Sequence, residues 1–191
     1  MKKTAIALFC CLAAFSLAAQ NLLKNPDFED IQTAKLKERL KQYLMAEEIP
    51  TGWTVRPPGN PSKFTVVTDG ETSKKGSCYL RVEQLDPKKD CSCSQWWLPV
   101  KGGRKYKFSV WTKGRGSIML HVVAYDKKKN VLGSFHPKAK SPIPSETEWN
   151  LNEFEFVMPE SAVEVVASYL MRGTVDLDDA FFGPVEQGAA K

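Results

Sequence analysis

The sequence predicts an all-β domain, a sandwich or barrel of antiparallel strands with one inserted α-helix. Three observations predict this class. Apolar and polar residues alternate with a period of two in several short runs, as in half-buried antiparallel strands. Turn signals rich in Gly, Pro and Asp separate these runs. One segment, residues 33–47, instead has its apolar residues at helical spacing.

About eight strands are predicted, each ending at a turn signal. A Lys-Gly-Arg-Gly turn at 113–116 separates two of them, and the exposed triplet 127–129 is predicted to form a hairpin turn. The alternative for this lysine triplet is a contact with a polyanion. The predicted strands are 64–68, 78–83, 94–100, 105–111, 118–125, 149–158, 163–170 and 175–182.

The predicted helix covers residues 33–47 and lies between the first strand and Trp53. Leu36, Leu40 and Leu44 recur at helical spacing, and Pro50 follows the segment. Two roles are open for this helix. It caps one end of the sandwich, or it docks a protein partner.

The first nineteen residues have the plan of a secretory signal peptide. Lys2 and Lys3 precede an apolar run from 5 to 17, and small residues offer a cleavage site before Ala19 or Gln20. That run is too short for a membrane span, which takes about 20 residues. We therefore expect a signal peptide at 1–19, one domain at 20–185 and a flexible tail at 186–191. The expected location is outside the cytoplasm, either secreted or periplasmic.

The charge and the cysteine content indicate which partners and cross-links to expect. The formal net charge is +5, and the basic residues are scattered, which does not favour a nucleic-acid partner. Beyond the signal peptide the chain has Cys78, Cys91 and Cys93. Because exported proteins form disulfides, we expect a bond from Cys78 to either Cys91 or Cys93. The alternative is that the thiols are free. A four-ligand zinc site is not indicated, because no histidine lies nearby.

Seven segments occur in an order that resembles a known family. They are 21–29 (NLLKNPDFE), 50–53 (PTGW), 75–82 (KGSCYLRV), 95–111 (QWWLPVKGGRKYKFSVW), 148–150 (EWN), 154–159 (FEFVMP) and 175–181 (VDLDDAF). This set resembles carbohydrate-binding modules related to families 4, 9 and 22. The resemblance implies a two-sheet jelly-roll β-sandwich of the galactose-binding-like type and a carbohydrate ligand. It covers nearly the whole chain beyond the signal peptide.

The resemblance also implies a structural calcium ion (Ca²⁺). Relatives often hold calcium between the Phe-Glu segment near the N-terminus and the Asp-Asp segment near the C-terminus. Here the matching residues are Glu29, Asp178 and Asp179. Because calcium takes six to eight oxygen ligands, carbonyl groups of the turn at 73–76 would have to contribute. The alternative is a set of solvated carboxylates.

Candidate sugar-binding residues lie opposite the predicted core-facing set. A sugar ring packs its C–H face on an aromatic side chain, and its hydroxyl groups bond to polar ones. The expected site is the concave face of one sheet or its edge loops. The expected core-facing residues are Leu80, Val82, Tyr106, Phe108, Val110, Ile118, Leu120, Val122, Phe154 and Phe156. The opposite set includes Tyr79, Arg81, Glu83, Trp111, His121 and Tyr125.

The remaining tryptophans are assigned by their positions in the strands. Adjacent residues in a strand face opposite ways, and Trp96 shares a face with Leu98 and Val100. Trp97 is therefore the surface candidate. Trp53 and Trp149 match positions that are structural in the family. The candidate ligand-binding residues are Trp111, Trp97, Arg81, Tyr125 and His121.

The sequence favours binding over catalysis. Neither His121 nor His136 accompanies a nucleophile or metal-ligand motif, and no paired carboxylates lie in a recognisable glycosidase pattern. We therefore expect a secreted, non-catalytic module that binds a polysaccharide or oligosaccharide. The alternative is a structural or protein-interaction domain on the same fold.

Overall fold

The computed structural model describes residues 20–33, 44–56, 62–86 and 88–185, and these ranges form only strands, turns and loops. Among the described residues, no helix has the length and apolar character needed to cross a membrane. The strands are β1 (Ile31–Thr33), β2 (Leu44–Met45), β3 (Glu48–Pro50), β4 (Thr54–Arg56), β5 (Ser62–Thr68), β6 (Cys78–Gln84), β7 (Cys91–Pro99), β8 (Lys105–Tyr125), β9 (Val131–Phe135), β10 (Ser141–Pro142), β11 (Asn150–Val157) and β12 (Glu164–Pro184). The predicted all-β class is confirmed.

Two long strands organise the molecule. Strands β8 and β12 have 21 residues each and pair antiparallel over their length, from Tyr106 opposite Pro184 to Tyr125 opposite Glu164. The turn predicted at 113–116, and the break predicted between 170 and 175, are therefore wrong. The glycines in these segments instead allow the backbones of β8 and β12 to approach each other closely. A Cβ at Gly116 would lie 2.0 Å from the Arg172 carbonyl oxygen, and one at Gly173 would lie 2.3 Å from that of Arg115.

The ribbon of β8 and β12 folds over at these glycines and forms two layers. The first layer contains β5, β6, the C-terminal half of β12, the N-terminal half of β8, and β11. The second layer contains β4, β7, the N-terminal half of β12, the C-terminal half of β8, and β9. Phe108 stacks on Tyr169 with ring centroids 5.1 Å apart, although their own strand partners are Phe182 and Leu120. That contact joins the two layers across the core.

The core lies between the layers and is built by alternation along each strand. Of the ten residues predicted to face it, the eight on β6 and β8 are buried. Phe154 and Phe156 on β11 are partly buried and pack against the same cluster. Trp53 is also buried, between Phe28 and Tyr169, and its indole N–H donates to the Asn25 carbonyl oxygen at 3.1 Å. Its predicted core position is confirmed, whereas Trp149 is only half-buried.

The structure contradicts the helix predicted at 33–47 at both of its ends, since neither residue 33 nor residues 44–47 are helical. Thr33 belongs to β1, which pairs with β3, and Leu44–Met45 form β2, which pairs parallel with Ser62 and Lys63 of β5. Backbone pairing to the sheet edge replaces the helical hydrogen bonds that the apolar spacing suggested. Residues 34–43 lie outside the described residues, as do the segments predicted to be a signal peptide (1–19) and a tail (186–191).

The expected disulfide is wrong, because Cys78, Cys91 and Cys93 are all free and buried. Cys78 begins β6 in the first layer, whereas Cys91 and Cys93 point into the core from β7 in the second layer. Burial raises the pKa of the Cys91 thiol to about 12, despite the side-chain hydrogen bond to Ser62. These thiols behave as core residues.

Candidate functional site

The five candidate ligand-binding residues lie on two opposite faces of the molecule. The odd-numbered side chains of β8 point outward along its whole length, but the strand passes from one layer to the other. Trp111 therefore lies on the outer face of the first layer, with Arg81. His121 and Tyr125 lie on the outer face of the second layer, with Trp97. The expectation of one shared face is wrong, because it treated the two halves of β8 as strands of one sheet.

Arg81 holds a structural ion pair on the first layer. Its Nε and one terminal nitrogen donate to the two carboxylate oxygens of Asp176, at 2.7 and 2.8 Å. Asp176 is only 2% exposed, so this paired geometry compensates a buried charge. The hydrogen bond to Asp176 raises the pKa of the Arg81 guanidinium. The Tyr79 hydroxyl accepts a further bond from Arg81 at 3.2 Å, and so the guanidinium is already engaged.

Trp111 is covered by the loop at 69–77. The Lys74 ammonium lies 3.8 Å from the centroid of its ring. Asp178 holds this loop in place by accepting hydrogen bonds from the backbone N–H groups of Lys74 and Lys75 at 2.7 and 3.0 Å. The Thr72 carbonyl oxygen accepts further bonds from Lys113 and from the indole of Trp149. Lys74 therefore lies over one face of the Trp111 ring, and the side chain is partly buried.

Trp97 is exposed on the second layer because of a β-bulge. The register between β7 and β12 shifts so that Trp96 and Trp97 together oppose Val166, and Trp97 has a φ of 59°. A bulge of this kind re-aims side chains. Gln95 and Leu98 on either side remain buried, whereas Trp97 is 44% exposed. The structure thus places Trp97 at the surface, as its strand position predicted.

An aromatic pair forms at this surface. Trp97 meets Tyr125 in an edge arrangement with ring centroids 5.2 Å apart. The Lys129 ammonium lies 3.9 Å from the Trp97 ring centroid and also pairs with Glu164. Lys129 comes from the predicted hairpin turn at 127–129, which is confirmed. The Asp126 carboxylate closes this turn by accepting the backbone N–H groups of Lys128 and Asn130.

A row of polar side chains crosses the same face. His121 lies opposite Ser168, and the Ser168 hydroxyl is 2.9 Å from that of Ser94 on β7. His121 Nε2 lies 2.7 Å from the Ser134 hydroxyl on β9. Burial and, secondarily, the charge of His136 lower the pKa of His121. Ser94 and Ser168 are buried, so of the three serines only Ser134 offers a hydroxyl group at the surface. None of the three was among the predicted site residues. Their outward positions on paired strands were the available signal, but it required the register.

The predicted calcium ligands have the wrong hydrogen-bond partners for a cation. The Glu29 carboxylate accepts bonds from the N–H groups of Ser77 and Cys78, each at 2.7 Å, and from the Ser77 hydroxyl. The turn thus offers N–H donors to Glu29, as it does to Asp178, and these donors favour carboxylates without a metal. Among the described residues, no group of three His, Cys, Asp or Glu side chains could hold a metal ion.

The ammonium group of Lys75 lies beside Asp179, the third predicted calcium ligand. The Lys75 ammonium is 3.4 Å from an Asp179 carboxylate oxygen and 4.0 Å from one of Asp27. Burial raises the pKa of Asp178 to about 6, although three backbone N–H groups oppose that shift. The donor set therefore does not fit calcium, which needs six to eight oxygen atoms. Calcium binding at these residues stays an untested prediction that would require the turn to rearrange.

Comparison with protein families found one match that covers most of the chain. The family is described as "Carbohydrate binding domain", and the match covers residues 20–170. Comparison with curated proteins found no match.

Solved structures share the fold at low sequence identity. The xylan-binding CBM22-1 domain of Xyn10C from Paenibacillus barcinonensis is 14% identical, with a TM-score of 0.57 over 90% of this chain and 98% of that one. TmCBM61, solved with β-1,4-galactotriose, is 15% identical, with a TM-score of 0.54 over 87% and 100%. Tailspike protein 4 of bacteriophage CBA120 is 14% identical, with a TM-score of 0.60 over 71% of this chain, which spans only 20% of the tailspike chain. These likenesses establish the jelly-roll sandwich.

Proposed function

The chain belongs to the carbohydrate-binding domain family, and from that membership we propose that it binds a glycan on the outer face of its second layer. Trp97 and Tyr125 supply the stacking surface, and His121 and Ser134 supply polar contacts. The observation that carries the proposal is the exposure of Trp97 at a β-bulge, beside a second aromatic ring. A large side chain kept at the surface by backbone geometry suits a binding role.

The chemistry of the face suits a sugar. A pyranose ring is apolar on its C–H faces and polar around its edge, and so it needs an aromatic plane beside hydroxyl, amide or imidazole groups. The second layer offers the Trp97–Tyr125 pair, and His121 with Ser134 lies along the same strands. On the first layer, in contrast, the Arg81 guanidinium is occupied by Asp176, and Trp111 is only partly exposed whereas Trp97 is 44% exposed.

Lys129 would have to move when a sugar stacks on Trp97. Its ammonium occupies one face of the ring, and its other partner is Glu164. Cation–π contacts at exposed sites are worth about 0.5–1 kcal/mol, and exposed ion pairs contribute about as little. A glycan that gains a full stacking contact can therefore displace Lys129 at small cost.

The remaining parts of the proposal concern setting and chemistry. We propose that the protein is exported through the signal peptide at 1–19 and that it binds its ligand without transforming it. Export is supported by the basic residues and apolar run at the N-terminus. A non-catalytic role is supported by family membership.

A second candidate is a protein-interaction domain, favoured by exposed aliphatic side chains beside the aromatic pair. Val131 is 63% exposed and pairs with Tyr125 across β8 and β9, and Val163 donates its backbone N–H to the Tyr125 carbonyl oxygen. Together with Trp97 these residues form an apolar surface that a protein could also cover. The test below separates the two candidates.

The test is affinity electrophoresis of the protein without its signal peptide, in gels containing xylan, β-1,4-galactan or mixed-linkage glucan. Trp97→Ala is compared with Trp111→Ala, a matched change of the same residue type on the opposite face. We expect retardation by at least one polysaccharide that Trp97→Ala abolishes and Trp111→Ala preserves. Loss of binding only in Trp111→Ala would move the site to the first layer. No retardation by any polysaccharide from a folded protein would favour the protein-interaction domain.

A further inference from the structure

The two histidines of the chain meet on the second layer. The sequence contains only His121 and His136. The hairpin of β8 and β9 pairs Val122 with Phe135 and Val123 with Ser134, so His136 follows directly as the residue opposite His121. The two ring centroids are 5.7 Å apart. This convergence plays no part in packing the core, because both side chains lie on the outer face.

We propose that His121 and His136 form a binding site for a late divalent transition metal, with Cu²⁺ held most tightly. An imidazole nitrogen binds such ions at about 2.0–2.1 Å, so two rings on one ion have centres roughly 5–6 Å apart. The observed separation lies in that range. The separation of the two rings is therefore compatible with one ion shared between them.

The hydrogen bonds of both rings leave a nitrogen available on each. His136 Nδ1 lies 2.8 Å from the Pro137 carbonyl oxygen. A carbonyl oxygen only accepts, so Nδ1 carries the proton and Nε2 keeps its lone pair. His121 Nε2 lies 2.7 Å from the Ser134 hydroxyl, which can accept the ring proton and leave Nδ1 free. Metal-binding histidines are commonly oriented in this way, by donating their second N–H to a neighbouring group.

The ligand chemistry selects the metal. Two imidazoles suit copper, nickel or zinc, whereas calcium and magnesium prefer oxygen ligands. Affinity for a given site rises along the first-row series to Cu²⁺. Two protein ligands leave coordination positions for water or for an oxygen atom of another molecule. His136 is exposed and His121 is half-buried, so an ion can reach the pair from solvent.

The experiment uses the protein without its signal peptide and without a histidine tag. Because the chain has only two histidines, the proton NMR spectrum contains two imidazole Cε1–H signals, which His121→Gln and His136→Gln assign. We expect paramagnetic Cu²⁺, added well below one equivalent, to broaden both signals together. Calorimetric titration with Cu²⁺, and separately with Zn²⁺, then measures the affinity of each variant.

We expect each single substitution to weaken Cu²⁺ binding by roughly tenfold or more, and the double substitution to remove this site. Lys138→Gln is the matched control, an exposed change near His136 that leaves both imidazoles in place. Equal Cu²⁺ affinity in the double variant would overturn the proposal, because the ion would then be held elsewhere, for example by the terminal amine. Broadening of only one histidine signal would also overturn it. Glycan binding is measured on a separate gel, so failure of either proposal is recognised independently.

Discussion

Single residues on the two faces of the molecule have different roles, although the sequence presents them alike. Arg81 and His121 both occupy outward positions on strands, between two buried aliphatic residues. Arg81 is committed to the buried carboxylate of Asp176, whereas His121 bonds to the Ser134 hydroxyl and lies beside the His136 ring. The difference arises from the partner strand, which places an acid beside one and serines beside the other.

We expect Arg81→Ala to destabilise the protein by about 1–3 kcal/mol, because it leaves Asp176 buried without a cation. The lower bound reflects the partial exposure of the Arg81 side chain. The measurement is urea unfolding followed by tryptophan fluorescence. Lys63→Ala is the control. It breaks the exposed pair with Glu83 and should cost less than about 1 kcal/mol. Equal costs in the two variants would show that Arg81 carries no structural charge pair.

We expect the three thiols to be unreactive in the folded protein. Burial raises the pKa of Cys91 and Cys93, and only the thiolate attacks a disulfide reagent. In protein prepared without residues 1–19, which contain Cys10 and Cys11, Ellman's reagent at pH 8 should therefore detect no fast-reacting thiol in buffer and three thiols in guanidinium chloride. Fewer than three in the unfolded protein would reveal a disulfide, contrary to the free cysteines of the structure.

At the scale of elements, the β8–β12 ribbon determines which residues share a face. Its glycines let the two backbones approach at the fold-over, where β8 leaves one layer and enters the other. The bulge at Trp96 and Trp97 is a second local departure from regular pairing, and it exposes Trp97. Both features are backbone conformations. The fold-over divides the outward side chains of β8 between two faces, and the bulge interrupts the alternation between the buried residues Gln95 and Leu98.

We expect Gly173→Ala to destabilise the protein by about 2 kcal/mol or more, since its φ is +89° and a Cβ there would collide with the Arg115 carbonyl oxygen. Thermal unfolding measures the change. Gly70→Ala is the control, because the nearest atom to its Cβ would be 4.0 Å away. If both variants melt at the same temperature, then Gly173 lies in an open turn rather than at a close crossing of two strands.

At the scale of the whole molecule, hydrogen bonds join the first and last described segments of the domain. The Asn21 side chain donates to the Ala180 carbonyl oxygen and accepts from Phe182. Glu29 and Asp178 are satisfied by the turn that includes residues 74–78, and Lys75 lies beside Asp179. These contacts hold the first and last segments of the domain together.

We expect calcium to leave the melting temperature unchanged. A ligand at a hundred times its Kd would stabilise the folded state by about 2.7 kcal/mol, which is readily measured. The measurement is thermal unfolding in EDTA and in millimolar CaCl₂, with MgCl₂ as the ionic control. A rise in melting temperature specific to calcium, lost in Glu29→Gln, would support the original calcium prediction and show that the turn rearranges around the ion.

Local pattern was enough to predict the class of fold, most strand positions and the core. Leu80, Phe108 and Leu120 are buried because alternation is a property of each strand by itself. The resemblance in ordered motifs was enough to predict the family. Trp97 was predicted at the surface because adjacent strand residues point opposite ways, and the bulge preserves its exposure.

Only the tertiary structure decided which candidates belong together. Trp111 and His121 share one strand and one parity, but the ribbon folds between them and sends them to opposite faces. Arg81 pairs with Asp176, and Glu29 bonds to the turn at 76–78, although these partners are far apart in the chain. His121 meets His136 because the register of a hairpin brings them together. Such contacts depend on which strands become neighbours. That is settled by packing of the whole core, whereas alternation within each segment reports only which side of its own strand is apolar.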